Sequence, residues 1–302
     1  MVDLSVQSLG QRMVNLAQDN TRRLEDVTIS IASQRRFQTY SGYANEGFAA
    51  QIINLEDAIE GIDAFRRTNT QIKTRSEQMV SSIDQLIDQV TDFKADLASR
   101  INGSTGSTMI LDVIGANALD QMADLINVKF DDRYLFSGTR IDTPPVANVQ
   151  SPNLTNGAAN TLYYQGNNTK PTVRTSENES FTYGVLASDS AFAKAIGGVH
   201  LAIQGHNNDS LTDLQSAGDM LDESISALVA IRGEISNDVT RLEKSNLNLD
   251  QAEVVINERL IEIRDTDIVS ATVESSELET IIQAIYLSYN RASGLRLANF
   301  LQ

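Results

Sequence analysis

Residues 211–263, LTDLQSAGDMLDESISALVAIRGEISNDVTRLEKSNLNLDQAEVVINERLIEI, decide the fold of this chain. Their apolar side chains recur mostly at intervals of three and four residues, which is the heptad repeat of a coiled coil. The apolar positions are Leu211, Leu214, Leu221, Ile225, Leu228, Ile235, Val239, Leu242, Leu249, Ile256, Leu260 and Ile263. Arg232 and Asn246 occupy further positions of the repeat, where polar side chains fix helix alignment. Because no proline interrupts the stretch, it predicts one long amphipathic helix.

The N-terminal half carries a second heptad pattern. Its apolar positions are Ile52, Leu55, Ile59, Ile62, Met79, Ile83, Leu86, Val90, Phe93 and Leu97. Polar residues take the same positions at Arg66, Asn69, Lys73 and Ser76, so we expect the helix to continue there while its surroundings change. Asn102-Gly103-Ser104 predicts the end of this helix. A further amphipathic segment, 110–130, is then expected to form an antiparallel helical hairpin with it.

The middle of the chain differs from both flanks. All four prolines lie there, at Pro144, Pro145, Pro152 and Pro171. Turn residues and β-prone runs extend from about Tyr134 to Ala187, which indicates short strands. The sequence therefore predicts a small β-rich domain inserted at the tip of a helical bundle.

The two chain ends carry apolar stripes of helical spacing, from Leu9 to Ile31 and from Ile268 to Tyr289. Their charges match in one antiparallel alignment with flush ends. In that alignment, the residues expected to lie close together are Arg35 and Arg36 with Asp265 and Asp267, and Arg22 and Arg23 with Glu277 and Glu279. Exposed ion pairs contribute little energy, about 0–1 kcal/mol each, so these charges specify alignment more than stability.

The C-terminal stripe has more apolar surface than one partner helix covers, because Ile281, Tyr286 and Leu295 flank it. We therefore hypothesise that both ends are loose in the free subunit and become ordered as coiled coil when subunits assemble. The predicted assembly contacts are Leu9, Met13, Leu16, Leu24, Val27, Ile282, Ile285, Tyr289, Leu297 and Phe300.

The composition excludes several classes of protein. Lys+Arg number 24 against 40 Asp+Glu, and the net charge of -16 argues against binding to nucleic acid or to an anionic membrane. Without cysteine there is no disulfide, thiolate nucleophile or Cys-ligated metal. No apolar run approaches the about 20 residues of a membrane span. The N-terminal residues lack the features of a cleavable secretory signal, so any export is expected to use an uncleaved one.

No motif in the chain assembles a chemical site. His200 and His206 lie six residues apart and do not share a helical face, so they do not predict a metal site. The glycine clusters lack the phosphate-loop pattern. Carboxylates are plentiful, but none is placed beside a nucleophile or base. We expect no enzyme activity, no cofactor and no metal.

Three stretches carry a resemblance to a known family. They are Arg133-Tyr134-Leu135-Phe136-Ser137-Gly138-Thr139 followed by Asp142-Thr143-Pro144-Pro145, Tyr163-Tyr164-Gln165-Gly166 with Val173-Arg174, and the segment 278–301. On these residues the chain resembles the bacterial flagellin family and, within it, most closely the hook-filament junction proteins, also called hook-associated protein three. One departure is that Ser33-Gln34-Arg35-Arg36 stands where the family often has Ser-Gly-basic-basic.

The resemblance implies a structural adaptor layer between the hook and the flagellin filament. Its implied partners are identical subunits in a helical layer, the hook-side junction protein, flagellin and a flagellar export chaperone. The implied location is the extracellular flagellum, reached by type III export without cleavage of a signal peptide. A minor flagellin of the filament itself is the alternative, and an extracellular coiled-coil interaction protein is a more distant one.

The predicted fold is mainly α, a long antiparallel bundle of N- and C-terminal segments with a small β-rich domain at its tip. The predicted domains are a terminal helical assembly domain of residues 1–46 and 265–302, a central helical bundle of 47–130 and 205–264, and a β-rich outer domain of 131–204.

Overall fold

The computed structural model describes residues 2–103, 110–154 and 160–300, and for residues 2–8 and 292–300 it describes the backbone alone. The helices are α1 Val2–Ser33, α2 Tyr40–Asn45, α3 Ala49–Asn102, α4 Leu111–Ile126, α5 Ser190–Asn207, α6 Leu211–Arg264 and α7 Ile268–Phe300. The strands are β1 Lys129–Phe130, β2 Arg133–Tyr134, β3 Thr172–Arg174 and β4 Ser180–Thr182. The mainly α prediction is confirmed.

The chain forms two compact units. One consists of Met1–Gly61 with Ala252–Gln302, and the other is Ile62–Gln251. Helices α3 and α6 contribute residues to both. The three-part division drawn from the sequence stays a prediction.

Both long heptad helices form as predicted, each with 54 residues. Most of their apolar heptad positions are buried, although Leu211, the first residue of α6, is exposed. Two polar heptad positions meet inside the unit Ile62–Gln251, where the Asn69 side-chain amide donates to Asn246 Oδ1 at 3.0 Å and to the Thr175 carbonyl at 3.1 Å. A polar layer thus crosses the contact between α3 and α6 and favours one alignment of the two helices.

The large core of the unit Ile62–Gln251 joins four helices to the middle of the chain. Its largest fully buried side chains include Leu86 and Phe93 of α3, Leu119 and Met122 of α4, Phe192 of α5, and Phe136 and Tyr163 between them. Gly198 of α5 permits close helix packing, since a Cβ atom there would lie 2.8 Å from Leu221 Cδ2 of α6. Phe136 belongs to the tract that the sequence assigns to the β-rich domain, so part of that tract packs in the helical core.

The β content of the middle segment is small among the described residues. β1 and β2 form an antiparallel hairpin whose turn residues, Asp131 and Asp132, both have positive φ angles of 50° and 58°. This left-handed pair is the geometry of a tight two-residue hairpin turn. β3 and β4 form a second two-stranded antiparallel sheet, with Val173 opposite Phe181.

Residues 190–204, which the sequence analysis places in the β-rich outer domain, lie in the helix α5 Ser190–Asn207. This helix, α5, is buried on nearly every side, so residues outside its helical apolar spacing at Phe192, Ile196 and Val199 are buried as well. Asp189 caps its N-terminus by accepting from the Ala191 N–H at 3.0 Å. The predicted segment 110–130 forms α4 followed by β1, while the turn proposed between α3 and α4 lies mostly outside the described residues.

Candidate functional site

The ends of the chain are brought together by α1 and α7, which pack against each other in the unit Met1–Gly61 with Ala252–Gln302. Arg35 and Asp265 form an antiparallel β-bridge, and the Arg36 N–H donates to the Arg264 carbonyl at 2.9 Å. Near the other end, a Cβ atom on Gly10 would lie 3.8 Å from the Tyr289 ring. The helices therefore run antiparallel, as the sequence predicts.

The charge pairs between these helices differ in part from the prediction. Arg35 lies beside Asp265 as predicted, but Arg23 pairs with Glu274 at 2.9 Å, about one turn from Glu277. Arg22 instead lies 4.0 Å from Asp19 of its own helix. One interhelical ion pair in this stretch thus replaces the two that were expected.

Asp267 does not pair with Arg36 because it caps the start of α7. Its carboxylate accepts from the Ser270 hydroxyl at 2.9 Å and from the Val269 and Ser270 N–H groups at 3.0 and 3.2 Å. The Ser270 hydroxyl, followed by these amides, lowers the pKa of Asp267. Arg36 lies 3.5 Å from Glu46 instead. The two segments thus meet as predicted, but the recorded ion pair of Arg36 is with Glu46.

Gln34 stands where the flagellin family, which this chain resembles in sequence, often has glycine, and its φ angle is 59°. That left-handed conformation is one that glycine adopts without a steric penalty. The Gln34 carbonyl accepts from the Thr266 N–H at 3.0 Å, and Tyr43 Oη donates to the Arg264 carbonyl at 2.9 Å. The segment 34–39 between α1 and α2 therefore keeps a glycine-like backbone at Gln34. The two bonds attach this part of the chain to Arg264 and Thr266, where α6 ends and α7 follows.

Leu278 of the C-terminal stripe is 2% exposed, and Ala17, Asn20 and Ala271 of the same helix pair are buried as well. The predicted assembly residues are less buried. Met13, Leu24, Val27, Ile282 and Ile285 are half-buried. Leu9, Leu16 and Tyr289 are exposed, at 46%, 53% and 40%. The side chains of Leu297 and Phe300 lie outside the described residues. The predicted set is thus mainly the face on which α1 and α7 contact each other.

Helix α7 has a second apolar face that the sequence analysis does not predict. Val269, Val273 and Leu287 are 75%, 55% and 61% exposed, and Ser276 and Thr280 lie between them. We call these five residues the outer stripe. Leu287 follows Leu278 by nine residues, about two and a half turns, so the stripe lies opposite the face that packs on α1. The spacing is visible in the sequence, but Ser276 and Thr280 conceal its apolar character.

The outer stripe borders a shallow groove lined by Val273, Thr280 and Ile281, among other residues of α7. Ile281 and Tyr286, which the sequence singles out as excess apolar surface, are 44% and 56% exposed. A helix that is apolar on two opposite faces has one face left for another protein surface.

Both histidines form hydrogen bonds within the protein. His200 Nε2 lies 2.5 Å from the buried Val149 carbonyl, and His206 Nδ1 accepts from Arg100 Nε at 2.9 Å. Burial lowers the pKa of His200, and its bond to the Val149 carbonyl opposes that shift. Across the described residues, no three His, Cys, Asp or Glu side chains cluster as metal ligands. Within that same part of the chain, no helix has the length and apolarity of a membrane span.

Solved structures share this arrangement of helices. A flagellar hook-associated protein from Vibrio parahaemolyticus superposes with a TM-score of 0.60 at 14% identity, over 70% of this chain and 95% of the other. The chain has the fold of a flagellar hook-associated protein. FlgL from Bacillus cereus superposes with a TM-score of 0.54 at 15% identity, over 70% of this chain and 99% of its own. No family model matches the sequence. No curated protein matches it either.

Proposed function

We propose that this protein is a structural subunit of the bacterial flagellum, an adaptor that joins the hook to the flagellin filament. The observation that carries the proposal is the outer stripe of α7, an apolar face left open on a helix whose opposite face is already packed. The fold shared with flagellar hook-associated proteins supports the same assignment.

The outer stripe is suited to contact between identical subunits. Covering a large aliphatic side chain such as Val273 or Leu287 contributes about 1.5–3 kcal/mol when burial is complete. A subunit that donates this face to one neighbour and receives a neighbour elsewhere forms a heterologous contact, which repeats into a ring or helical layer. In that layer, α7 lies between its own α1 and a neighbouring subunit.

The proposed partners are further copies of this chain in a helical layer, the hook-side junction protein and flagellin. A flagellar export chaperone is proposed to bind the C-terminal helix before assembly, when its apolar surface is uncovered. The proposed location is the extracellular flagellum, reached without cleavage of a signal peptide. We infer that the protein is not an enzyme and that it inserts into no membrane.

The test uses a strain that lacks the gene and is complemented with four forms of the protein. The first is wild type, the second lacks residues 279–302, and the third carries Leu287→Glu in the outer stripe. The fourth carries Leu247→Glu, a matched control on α6, because Leu247 is 60% exposed and Leu287 is 61% exposed. Electron microscopy scores hooks and filaments, and immunoblots of the medium measure free flagellin and this protein.

We expect bare hooks and free flagellin for the gene deletion, for the truncation and for Leu287→Glu, with normal filaments for Leu247→Glu. The Leu287→Glu protein should still appear in the medium, which separates an assembly defect from an export defect. Filaments that persist after gene deletion would assign the protein to a minor flagellin. Wild-type motility without the gene would refute a role in the flagellum.

A further inference from the structure

A cavity of about 240 Å³ lies within the unit Ile62–Gln251. Helix α3 contributes Arg75 and Met79 to its wall, and the tract after β1 contributes Tyr134 and Ile141. Tyr183, which follows β4, closes another side. Three segments that are distant in sequence therefore surround one partly open cavity, and the proposed function gives this cavity no role.

Arg75 is the unusual residue of this cavity. Its side chain is only 9% exposed, and its Nε atom is buried without a hydrogen-bond acceptor. The carboxylate recorded nearest its guanidinium is that of Asp131, at 3.9 Å from Nη2, which is longer than a hydrogen bond. Asp131 Oδ2 already accepts from Gln71 Nε2 at 3.2 Å. A buried cation with so little compensation is unfavourable, and a bound anion would relieve it.

The walls of the cavity are held by backbone hydrogen bonds. The Tyr134 N–H donates to the Ile141 carbonyl at 2.9 Å, and the Tyr183 N–H donates to the Pro171 carbonyl at 3.2 Å. The turn between Tyr134 and Ile141 is tightly packed, since a Cβ atom on Gly138 would lie 2.4 Å from Asn167 Oδ1. The cavity is therefore preformed and does not depend on closure around a ligand.

The geometry points to a binding site for a small aliphatic carboxylate, with Arg75 as its anchor. A guanidinium presents parallel N–H donors that match the two oxygens of a carboxylate. Met79, Leu135 and Ile141 provide apolar surface for a short hydrocarbon chain. The volume is below that of most drug-sized ligand sites, which limits the ligand to a few carbon atoms.

Met79, Leu135 and Ile141 line the cavity beside the polar residues Arg133 and Thr139, and this mixed wall favours a carboxylate with a hydrocarbon chain over a phosphate. Inorganic phosphate carries more charge and has no apolar part, so Met79 and Ile141 would remove its hydration without replacing it. Phosphate therefore serves as the competing anion in the test. If it binds more tightly than a carboxylate, the site holds an adventitious ion only and the proposal is overturned.

The experiment titrates butyrate into the purified full chain, labelled with ¹³C at its methionine methyl groups, and follows the Met79 signal by NMR. We expect saturable shifts at Met79, while Met220 on α6, which does not line the cavity, stays unchanged. Arg75→Met should weaken binding at least about tenfold, as expected for the loss of a charge-assisted hydrogen bond. Arg67→Met, an exposed position on the same helix, should leave binding unchanged.

Arg75→Lys is a second variant in case Arg75→Met fails to fold, which circular dichroism would reveal. Lysine keeps the charge but loses the planar pair of donors, so butyrate should bind more weakly than to the wild type. Absence of a saturable Met79 shift in the wild-type protein would overturn the proposal. Equal weakening by Arg67→Met and Arg75→Met would also overturn it. Neither outcome affects the assignment to the flagellum.

Discussion

Replacing Leu278 with alanine should loosen the pairing of α1 and α7 in the free subunit. Leu278 is the one large aliphatic side chain of this helix pair that is fully buried among its described residues. Buried Leu→Ala substitutions cost about 2–5 kcal/mol. We expect the lower part of that range, because large apolar residues of α1 such as Leu24 are only half-buried, so the contact around Leu278 is partly open to solvent.

The assay is amide hydrogen exchange of the purified monomer, read by mass spectrometry on peptides from α1 and α7. Exchange through local opening reports the free energy of that opening. A loss of about 2 kcal/mol should accelerate exchange roughly 30-fold in both helices. Peptides from residues 83–97 of α3 serve as an internal reference and should be unchanged, because they lie in the core of the other unit.

The matched control is Leu287→Ala, on the same helix but on the outer stripe. Leu287 is 61% exposed, so its truncation should change exchange of the monomer by less than about threefold, as expected for about 0.5 kcal/mol at a surface site. Equal acceleration by Leu278→Ala and Leu287→Ala would refute the assignment of the two faces. Wild-type exchange in α1 and α7 as slow as in residues 83–97 would refute the hypothesis that the ends are loose before assembly.

Three further substitutions test other parts of the structure. Because burial lowers the pKa of His200, the unfolded chain binds more protons there than the folded chain. The free energy of unfolding should therefore fall as the pH drops below the ordinary histidine pKa of about 6.5. Urea unfolding at several pH values should show a smaller loss of stability for His200→Gln. Asn69→Ala should cost about 1–3 kcal/mol in urea unfolding, because it leaves the Thr175 carbonyl without that donor. Gln34→Gly should be neutral or stabilise by up to about 1 kcal/mol in the same assay. The substitution removes the steric strain of a Cβ atom at a left-handed position, and the larger conformational entropy of the unfolded glycine chain offsets part of that gain. A destabilised Gln34→Gly protein would contradict that explanation.

The sequence by itself determined the elements whose signals are local and periodic. Heptad spacing predicts α3 and α6 over their full length, because a long amphipathic helix repeats its apolar positions whatever it packs against. The charges at Arg35 and Asp265 predict the antiparallel direction of the terminal helices, and the prolines separate the middle segment from the helical flanks. The face of α7 that packs on α1 also follows from its spacing, with Leu278 at its centre.

Tertiary structure decided the features that depend on which segments meet. Helix α5 lies within the segment predicted as β-rich, and its burial on nearly every side arises only when other elements pack around it. The pairing of Arg23 with Glu274 follows from how α1 and α7 fit together, including the capping of α7 by Asp267. The cavity around Arg75 is formed by residues from three segments that are distant in sequence. In the sequence alone, Arg75 does not differ from the other charged residues of its helix. Its burial and the missing acceptor at its Nε atom give Arg75 its significance, and both arise only when the chain has folded around it.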